Sequence, residues 1–120
     1  MIIDKVRDLN ELRNLYSGRP MPEQYDFDFL VNNPNLFCFY DDFSGKLLGF
    51  ITIQRENNLL TLSGTSIPKN YDNIVEAIRI ICEQFNENIY AFTPLKNAAL
   101  VLIRAGFTKI KDGEYVKYMV

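Results

Sequence analysis

Apolar residues in the middle of the chain occur in three short runs that are separated by turn-forming residues. The runs are Leu36–Tyr40, Leu47–Ile53 and Leu59–Ser63. The segment DDFSGK separates the first two runs, and ENN separates the last two. Short apolar runs bounded by Asp, Asn, Ser and Gly are typical of β-hairpins. We therefore expect three consecutive antiparallel strands.

The N-terminal part of the chain predicts one strand and two helices. MIIDKV has the composition of a short strand. Asp8 is a suitable N-cap for a helix over Leu9–Tyr16, and Glu11 occupies the return position of a capping box. After the break SGRPMP, the pattern predicts a second helix over Glu23–Val31. Three apolar residues share one side of this second helix: Phe27, Leu30 and Val31.

The C-terminal half predicts a further helix and strand. The helix covers about Tyr71–Phe85, because its apolar residues recur at spacings of three and four. These residues are Ile74, Ile78, Ile81 and Phe85. The segment Asn88–Phe92 then predicts a short buried strand.

The last third of the chain predicts a helix and a hairpin. Thr93 and Pro94 are suited to the N-cap and first position of a helix, and Gly106 is suited to the position after its end. Asp112 and Gly113 lie between two alternating runs, which is typical of a two-residue hairpin.

The predicted order of elements is β α α β β β α β α β β, which fits one domain over residues 1–120. The strand, helix and strand between Leu59 and Phe92 are expected to pair parallel through a right-handed crossover. The remaining strands are expected to be mostly antiparallel. The predicted class is therefore α+β, with a mixed sheet flanked by helices.

Composition excludes several classes of function. The net charge is −2 and the basic residues are scattered, so neither nucleic acid nor an anionic membrane is an expected partner. No apolar run has the length of a membrane span or a signal peptide, which predicts a cytoplasmic protein. Histidine is absent, so we expect neither a Ser-His-Asp triad nor a zinc site, and both are excluded on this ground. Cys38 and Cys82 have apolar neighbours and are expected to be buried thiols.

Two segments, together with the order of elements, resemble the GNAT acetyltransferase fold. GKLLGFITI (Gly45–Ile53) resembles the second hairpin strand of that family, and NAALVLIRAGF (Asn97–Phe107) resembles its late helix. The resemblance implies a sheet that is mostly antiparallel with one parallel crossover. It also implies an acetyl-CoA site where the third hairpin strand meets the following helix. The family's loop there carries Arg or Gln and two glycines, whose N–H groups point at a pyrophosphate.

The corresponding segment of this chain, SIPKNYDNIV, departs from that pattern. The glycine positions fall on Asn73 and Val75, or on Asp72 and Ile74 in a neighbouring register. No Arg or Gln precedes them, and Lys69 is the one cation of the segment. A carboxylate in the first helical turn competes with an anionic ligand for the same N–H groups. The sequence therefore predicts a degenerate loop and no bound cofactor.

If acetyl-CoA does bind, the resemblance places it beside the strand end and the helix start. We expect Gly64 to mark a bulge where the strand splays and leaves a cleft for the pantetheine arm, although it could instead permit a simple turn. The candidate cofactor-binding residues are Gly64, Thr65, Lys69, Tyr71, Asp72, Asn73 and Asn97.

The sequence also contains few candidates for catalytic residues. The family often has Asn near the start of its late helix and Tyr four residues before the glycine, and these positions are Leu95 and Leu102 here. Leucine cannot donate a proton to a departing thiolate. The remaining candidates for acid or base are Tyr71, Tyr90 and Glu56, the last of which lies in a predicted turn. Ser63 and Thr65 are hydroxyls without a neighbouring base in the sequence.

The resulting hypothesis is a non-catalytic GNAT-like domain with a structural, assembly or binding role. Small degenerate domains of this kind resemble head-assembly and virion-associated proteins of tailed bacteriophages. The expected partner is another protein or a second copy of the chain. The alternative is an acetyl-CoA-dependent N-acetyltransferase with an atypical loop that acts on a primary amine. A third possibility is a small interaction module that presents aromatic residues of Pro22–Leu30.

Overall fold

The computed structural model describes residues 1–17, 27–66 and 71–119, and its elements follow the predicted order. The strands are β1 (Ile2–Asp4), β2 (Leu36–Tyr40), β3 (Leu47–Glu56), β4 (Leu59–Ser66), β5 (Ile89–Phe92), β6 (Thr108–Lys111) and β7 (Glu114–Lys117). The helices are α1 (Leu9–Ser17), α2 (Phe27–Val31), α3 (Tyr71–Cys82) and α4 (Lys96–Arg104).

One seven-stranded sheet in the order β1-β2-β3-β4-β5-β7-β6 joins all the strands. The pair β4–β5 is parallel, and the other five pairs are antiparallel. Helix α3 connects the two parallel strands. The predicted class is confirmed: a mixed sheet, mostly antiparallel, with one parallel crossover and flanking helices.

The sheet separates two hydrophobic cores, because successive residues of a strand point to opposite faces. On one face, Phe39 and Ile51 belong to a large cluster with the apolar sides of α3 and α4. On the other face, Cys38 and Phe50 belong to a smaller cluster with α1 and α2. The predicted inner residues of both helices are confirmed as core: Leu30 on α2, and Ile78 and Ile81 on α3.

Helix α1 begins as predicted, but Glu11 has a different role. Asp8 Oδ1 accepts hydrogen bonds from the N–H groups of Asn10 (2.9 Å) and Glu11 (3.5 Å), as an N-cap should. Among the described hydrogen bonds, none joins the Glu11 carboxylate to the N–H of Asp8, as the predicted capping box would require. Its Oε2 instead accepts from the N–H of Leu47 at 3.3 Å. Glu11 therefore ties α1 to the start of β3.

The predicted start of α4 at Thr93 and Pro94 is wrong. The N-cap is Leu95, whose side chain makes no capping hydrogen bond. Thr93 is held against the C-terminal hairpin, because its N–H donates to the carbonyl of Gly113 at 2.9 Å. Its Oγ1 accepts from the N–H of Leu95 at 3.1 Å, which forms a turn before the helix. The contact with the hairpin thus delays the start of α4.

The predicted end of α4 at Gly106 is confirmed. Gly106 has φ +100°, a conformation that side chains disfavour. Its N–H donates to Ile103 O at 3.0 Å, and the N–H of Phe107 donates to Leu102 O at 2.9 Å. These two bonds are those of a Schellman motif, which satisfies the last carbonyls of a helix.

Three boundaries differ from the prediction by three residues each. Strand β3 continues to Glu56 and β4 to Ser66, because the two strands remain paired over their whole length. Their hairpin turns at Asn57 and Asn58, which both have positive φ. Helix α3 ends at Cys82, three residues before the predicted end. The first part of the predicted second helix, residues 23–26, lies outside the described residues.

Across the ranges that the structure describes, no helix is long and apolar enough to cross a bilayer.

Both cysteines are free and buried, as predicted. Burial raises the pKa of the Cys38 thiol to about 11 and that of Cys82 to about 12. Burial likewise raises the pKa of Tyr40, beside Cys38 in the smaller core, to about 12. A raised pKa in these groups means that the folded protein retains protons that the unfolded chain releases.

We expect the free energy of unfolding to fall as the pH rises from about 9 to about 11–12. The unfolded thiols and phenol ionise near their ordinary values of 9.0 and 10.0, whereas the folded ones stay neutral up to about 11–12. Each such group lowers the free energy of unfolding by up to about 1.4 kcal/mol per pH unit in that window. Urea unfolding midpoints at pH 8, 9 and 10 measure the effect. Cys82→Ala should give a shallower decline, and equal midpoints at all three pH values would contradict the assignment.

Candidate functional site

The candidate site is a cleft where the parallel strands β4 and β5 separate. They are paired at Leu60–Ile89 and Thr61–Tyr90 only. Beyond these pairs β4 stays with β3 as far as Ser66, while Ala91 and Phe92 of β5 pair with β7. The two strands therefore diverge towards their C-terminal ends. The cleft that the resemblance implied at this point is present.

The cleft has a volume of about 360 Å³ and lies between the sheet and helices α3 and α4. None of the described residues that line it carries a charged side chain. From the strands and the turn after β5 the lining residues are Ile51, Leu62, Ser63, Gly64, Ala91, Phe92 and Thr93. From the helices and the α4 N-cap they are Tyr71, Ile74, Ile78, Leu95, Ala98, Val101 and Leu102. The interior is apolar, and the exposed side chains of Tyr71, Phe92 and Leu95 lie along it.

Gly64 lies within β4 and does not mark a bulge, which corrects the sequence prediction. The pairing of β3 with β4 keeps one register from Gly49–Ser66 to Glu56–Leu59. The alternative of a turn at Gly64 is also wrong, because β4 continues to Ser66. A Cβ atom on Gly64 would lie 2.5 Å from the carbonyl oxygen of Phe50 and 3.1 Å from Cα of Ile51. The glycine is required by this close approach of two backbones.

The segment between β4 and α3 is short. Strand β4 ends at Ser66 and α3 begins at Tyr71, so four residues, 67–70, separate them. Lys69 is among these and lies outside the described residues. Thr65 pairs with Phe50 through the sheet. The positions that would carry loop glycines all lie within α3, and Val75 is buried in the larger core.

Tyr71 and Asp72 occupy the first turn of α3, where the cleft meets the helix. Tyr71 lines the cleft and is 43% exposed. Asp72 Oδ1 forms an ion pair with Arg104 Nη2 at 2.5 Å, which links α3 to the end of α4. Arg79 Nη2 donates to the carbonyl oxygen of Arg104, which further fastens the two helices. Asn73 lies one residue further along α3 and is half-buried.

Arg104 is the polar residue near the site that sequence reasoning missed. It lies 32 residues from Asp72 along the chain, so no local pattern connects them. Its charge largely offsets that of Asp72, which the sequence had left as an uncompensated acid. The salt bridge is exposed, so its contribution to stability is small.

The structure places the other candidate residues away from the cleft. Tyr90 follows Ile89 on β5 and points to the face opposite Ala91, so its ring does not line the cleft. Glu56 lies at the end of β3, where it accepts a hydrogen bond from Gln54 Nε2 at 2.8 Å. Asn97 is exposed on α4 beside Ala98, which does line the cleft. Of the described candidates, Gly64 and Tyr71 are brought together at the cleft. The functional roles of all of them stay predictions.

The hydroxyl of Ser63 is paired with another hydroxyl. Its Oγ lies 2.7 Å from Oγ1 of Thr52 on β3. A hydroxyl does not activate a neighbouring serine as a base does. Within the described part of the chain, no three Cys, Asp or Glu side chains are grouped so as to hold a metal ion.

Solved acetyltransferases share this fold. A putative GNAT-family acetyltransferase from Bordetella pertussis superposes with a TM-score of 0.65 at 12% identity, covering 90% of this chain and 86% of that one. A PaiA N-acetyltransferase from Thermoplasma acidophilum in complex with coenzyme A has a TM-score of 0.63 at 16% identity, covering 96% and 95%. A GNAT-family acetyltransferase from Bacillus anthracis has a TM-score of 0.59 at 17% identity, covering 78% and 69%.

The chain therefore has the GNAT fold, as its sequence predicted. At these identities the similarity establishes the fold and leaves the activity open. The sequence itself matches no family model and no curated protein at a significant level.

Proposed function

We propose that this chain is a non-catalytic domain with the GNAT fold that acts as a structural, assembly or binding protein. The observation that supports the proposal most is the uncharged lining of the cleft in the described residues. The cleft has the shape that the fold provides, but its chemistry suits an apolar occupant.

The described residues fit only part of an acetyl-CoA molecule. The apolar cleft is suited to the slender pantetheine arm, and Gly64 is among its lining residues. The phosphates need cations or free N–H groups at the helix start. Within the described residues, the nearest cation on α4 is Arg104, which is already paired with Asp72. The described residues therefore offer little to distinguish the charged cofactor from a neutral apolar one.

Transfer of an acetyl group to an amine also needs a group that receives a proton and a group that protonates the leaving thiolate. Leu95 and Leu102 line the cleft at the positions where the resemblance expects Asn and Tyr. Tyr90 and Glu56 lie elsewhere. Among the described lining residues, Tyr71 is the one candidate for a general acid. One acid without a positioned base supports binding better than catalysis.

An acetyl-CoA-dependent N-acetyltransferase acting on a primary amine is the second candidate function. It is favoured by the position of Tyr71, whose phenol is at the cleft and at the start of α3. In this alternative, Lys69 and the N–H groups of Tyr71–Asn73 would hold the phosphates, and the backbone near Gly64–Thr65 would polarise the thioester carbonyl. The amine nitrogen would bond to the acetyl carbon and lose its proton to water, while the carbon–sulfur bond breaks and the thiolate takes a proton, for which Tyr71 is a weak candidate donor.

A finer proposal concerns the biological setting. The short chain and its departures from the acetyl-CoA loop pattern resemble small GNAT-like proteins associated with phage heads or virions. In that setting the domain is cytoplasmic during assembly or is carried by the particle, and its partner is a protein. This proposal rests on the resemblance alone.

The proposal predicts that acetyl-CoA binds with no higher affinity than S-acetylpantetheine, which lacks the phosphates and the nucleotide. At about 1 mM, acetyl-CoA and S-acetylpantetheine should raise the midpoint of thermal unfolding equally, by less than about 1 °C, because only specific binding to the folded state stabilises it. A working phosphate site would make acetyl-CoA bind at least about 100-fold more tightly, an advantage of roughly 2.7 kcal/mol. Differential scanning fluorimetry and calorimetric titration measure both ligands.

Two variants of α4 show whether any bound ligand is in the cleft. Ala98→Trp fills the cleft from α4, and Leu100→Trp places the same side chain on the exposed side of that helix.

Thiol release from acetyl-CoA in the presence of a panel of primary amines should not exceed the uncatalysed rate. The proposal is wrong if acetyl-CoA binds at micromolar affinity and transfers its acetyl group. Loss of that transfer in Ala98→Trp and Tyr71→Phe, but not in Leu100→Trp, would establish the alternative.

A further inference from the structure

The cleft is bordered by two strand edges that are open towards each other. Strands β4 and β5 are paired near the start of the cleft, and the last pair is Thr61–Tyr90. Strand β4 nevertheless continues to Ser66 and β5 to Phe92. Beyond the last pair, each strand of the described chain is bonded to its outer neighbour, β3 or β7. The facing edges of both strands therefore have no strand partner along the cleft.

The register of the β3–β4 hairpin identifies the backbone groups of β4 that point into the cleft. The pair Glu56–Leu59 closes a two-residue turn, so it is hydrogen-bonded, and such pairs recur at every second residue. Gly64 belongs to the alternate set, whose N–H and C=O groups point away from the partner strand. Ile53 of β3 is in the same set, and its N–H donates to the carbonyl of Asn35 on the side away from β4 (3.2 Å). The N–H and C=O of Gly64 are therefore directed to the cleft side of β4.

The same alternation applies to β5. The N–H of Thr93 donates to the carbonyl of Gly113, which is on the side of β7. Phe92 precedes it, so the N–H and C=O of Phe92 point to the opposite side, as those of Tyr90 do where β5 pairs with β4. Gly64 and Phe92 both line the cleft. The cleft therefore has apolar side chains and, on both of its strand walls, backbone groups without a strand partner.

We propose that the cleft binds an extended, uncharged peptide segment of a partner protein, which adds as a strand to the open edge of β4. This inference rests on the proposed function of a non-catalytic binding domain. A purely apolar occupant would remove water from the backbone groups of Gly64 and Phe92 without replacing its hydrogen bonds, which is costly. A peptide supplies amide donors and acceptors at every second residue, which is the mode of binding called β-strand addition.

The lining and the length of the open edge define the expected segment. None of the described lining residues is charged, so apolar side chains suit the cleft. The edge of β4 from Leu62 to Ser66 spans roughly 13 Å at about 3.3 Å per residue, which corresponds to about four residues of extended peptide. The volume of about 360 Å³ limits these residues to small and medium side chains such as alanine and valine.

The outer edges of the sheet are less suitable for strand addition. Strand β6 lies at one edge and exposes Lys109 and Lys111, and lysines on an edge strand oppose pairing. Strand β1 lies at the other edge and has three residues, Ile2–Asp4, so it offers few bonds. Among the described strands, the edge inside the cleft combines open backbone groups with an uncharged apolar surface.

Calorimetric titration with the peptide acetyl-Ala-Val-Ala-Val-amide tests the proposal. We expect a dissociation constant below about 1 mM. The matched control is the same peptide with every backbone nitrogen methylated, which keeps the side chains and lacks the N–H donors. It should bind at least about tenfold more weakly. Ala98→Trp, which fills the cleft, should abolish binding of the peptide, whereas Leu100→Trp on the exposed side of α4 should leave it unchanged.

Hydrogen exchange followed by NMR locates the peptide on the unaltered chain. The amide of Gly64 should exchange rapidly in the free protein and at least about tenfold more slowly with saturating peptide, because it becomes hydrogen-bonded. The amide of Gly45 is the control, since it already donates to the carbonyl of Asp41 in a turn (2.9 Å), and its rate should not change. This measurement does not depend on whether Ala98→Trp folds.

Four outcomes would overturn the inference. They are unchanged exchange at Gly64 with about 5 mM peptide, equal affinity for the methylated peptide, binding of 1-octanol in place of the peptide, and tighter binding of S-acetylpantetheine than of the peptide. The third outcome would assign the cleft to a purely apolar occupant and the fourth to one that resembles a cofactor arm. The proposed function fails through a different result, which is acetyl transfer from acetyl-CoA, so the two failures are distinguishable.

Discussion

Truncation of Phe50 to alanine is expected to lower the free energy of unfolding by about 3–5 kcal/mol. Phe50 is fully buried at the centre of β3, on the face that α1 and α2 cover. Its ring centroid lies 6.3 Å from that of Tyr16 on α1, so its loss leaves a cavity between the sheet and that helix. Urea unfolding followed by circular dichroism measures the change.

Phe43→Ala provides the matched control for this prediction. The same side chain is removed there from a position that is fully exposed, so the change should be within about 0.5 kcal/mol. If the two variants were destabilised equally, Phe50 would not occupy the packed position described. The prediction is independent of function, because Phe50 lies on the opposite face of the sheet from the larger core.

Replacement of Gly64 by alanine is expected to lower the free energy of unfolding by about 1–3 kcal/mol. The added methyl group would lie 2.5 Å from the carbonyl oxygen of Phe50, and backbone atoms cannot move aside as a flexible side chain can. Relief requires β4 to shift away from β3 at the mouth of the cleft. Denaturant unfolding measures the loss, and any ligand that the cleft binds should bind more weakly to this variant.

Substitutions at Gly45 distinguish the effect of crowding on stability from the effect of backbone conformation. It has φ +69° in the turn before β3, and a Cβ atom there meets nothing within 4 Å. Alanine at Gly45 is expected to cost about 1 kcal/mol through its conformation, and asparagine should recover part of that loss, since Asn tolerates positive φ. Asparagine at Gly64 should recover nothing. A fully stable Gly64→Asn variant would show that β3 and β4 do not approach closely.

Local sequence patterns predicted the elements well because helices and strands are distinguished by short-range periodicity. The runs Leu36–Tyr40 and Leu59–Ser63 are both strands, and the glycine after α4 ends that helix as expected. The errors occur where a distant segment competes with a local preference. Thr93 is suited to an N-cap, but its backbone is bonded to the hairpin at Gly113, and α4 begins later.

The candidate site was predicted only in part. The resemblance placed a cleft beside Gly64, and the separation of β4 from β5 forms one there. It did not predict that Gly64 is required by the proximity of Phe50, or that Arg104 pairs with Asp72. These contacts join residues that are far apart along the chain, so no spacing of residue types in the sequence indicates them.

The sequence by itself determined the order of the elements and the residue types that are available at the expected site. It has no histidine, and it carries leucine at both positions where the resemblance expects a polar residue of the late helix. Residue types and their local periodicity are sufficient for such conclusions. Only the tertiary structure decided that Tyr71 reaches the cleft whereas Tyr90 and Glu56 do not, and that Leu100 and Ile103 of α4 are left exposed. The physical reason is that side chains meet through the pairing of strands and the packing of helices, which connect residues without regard to their separation in the sequence.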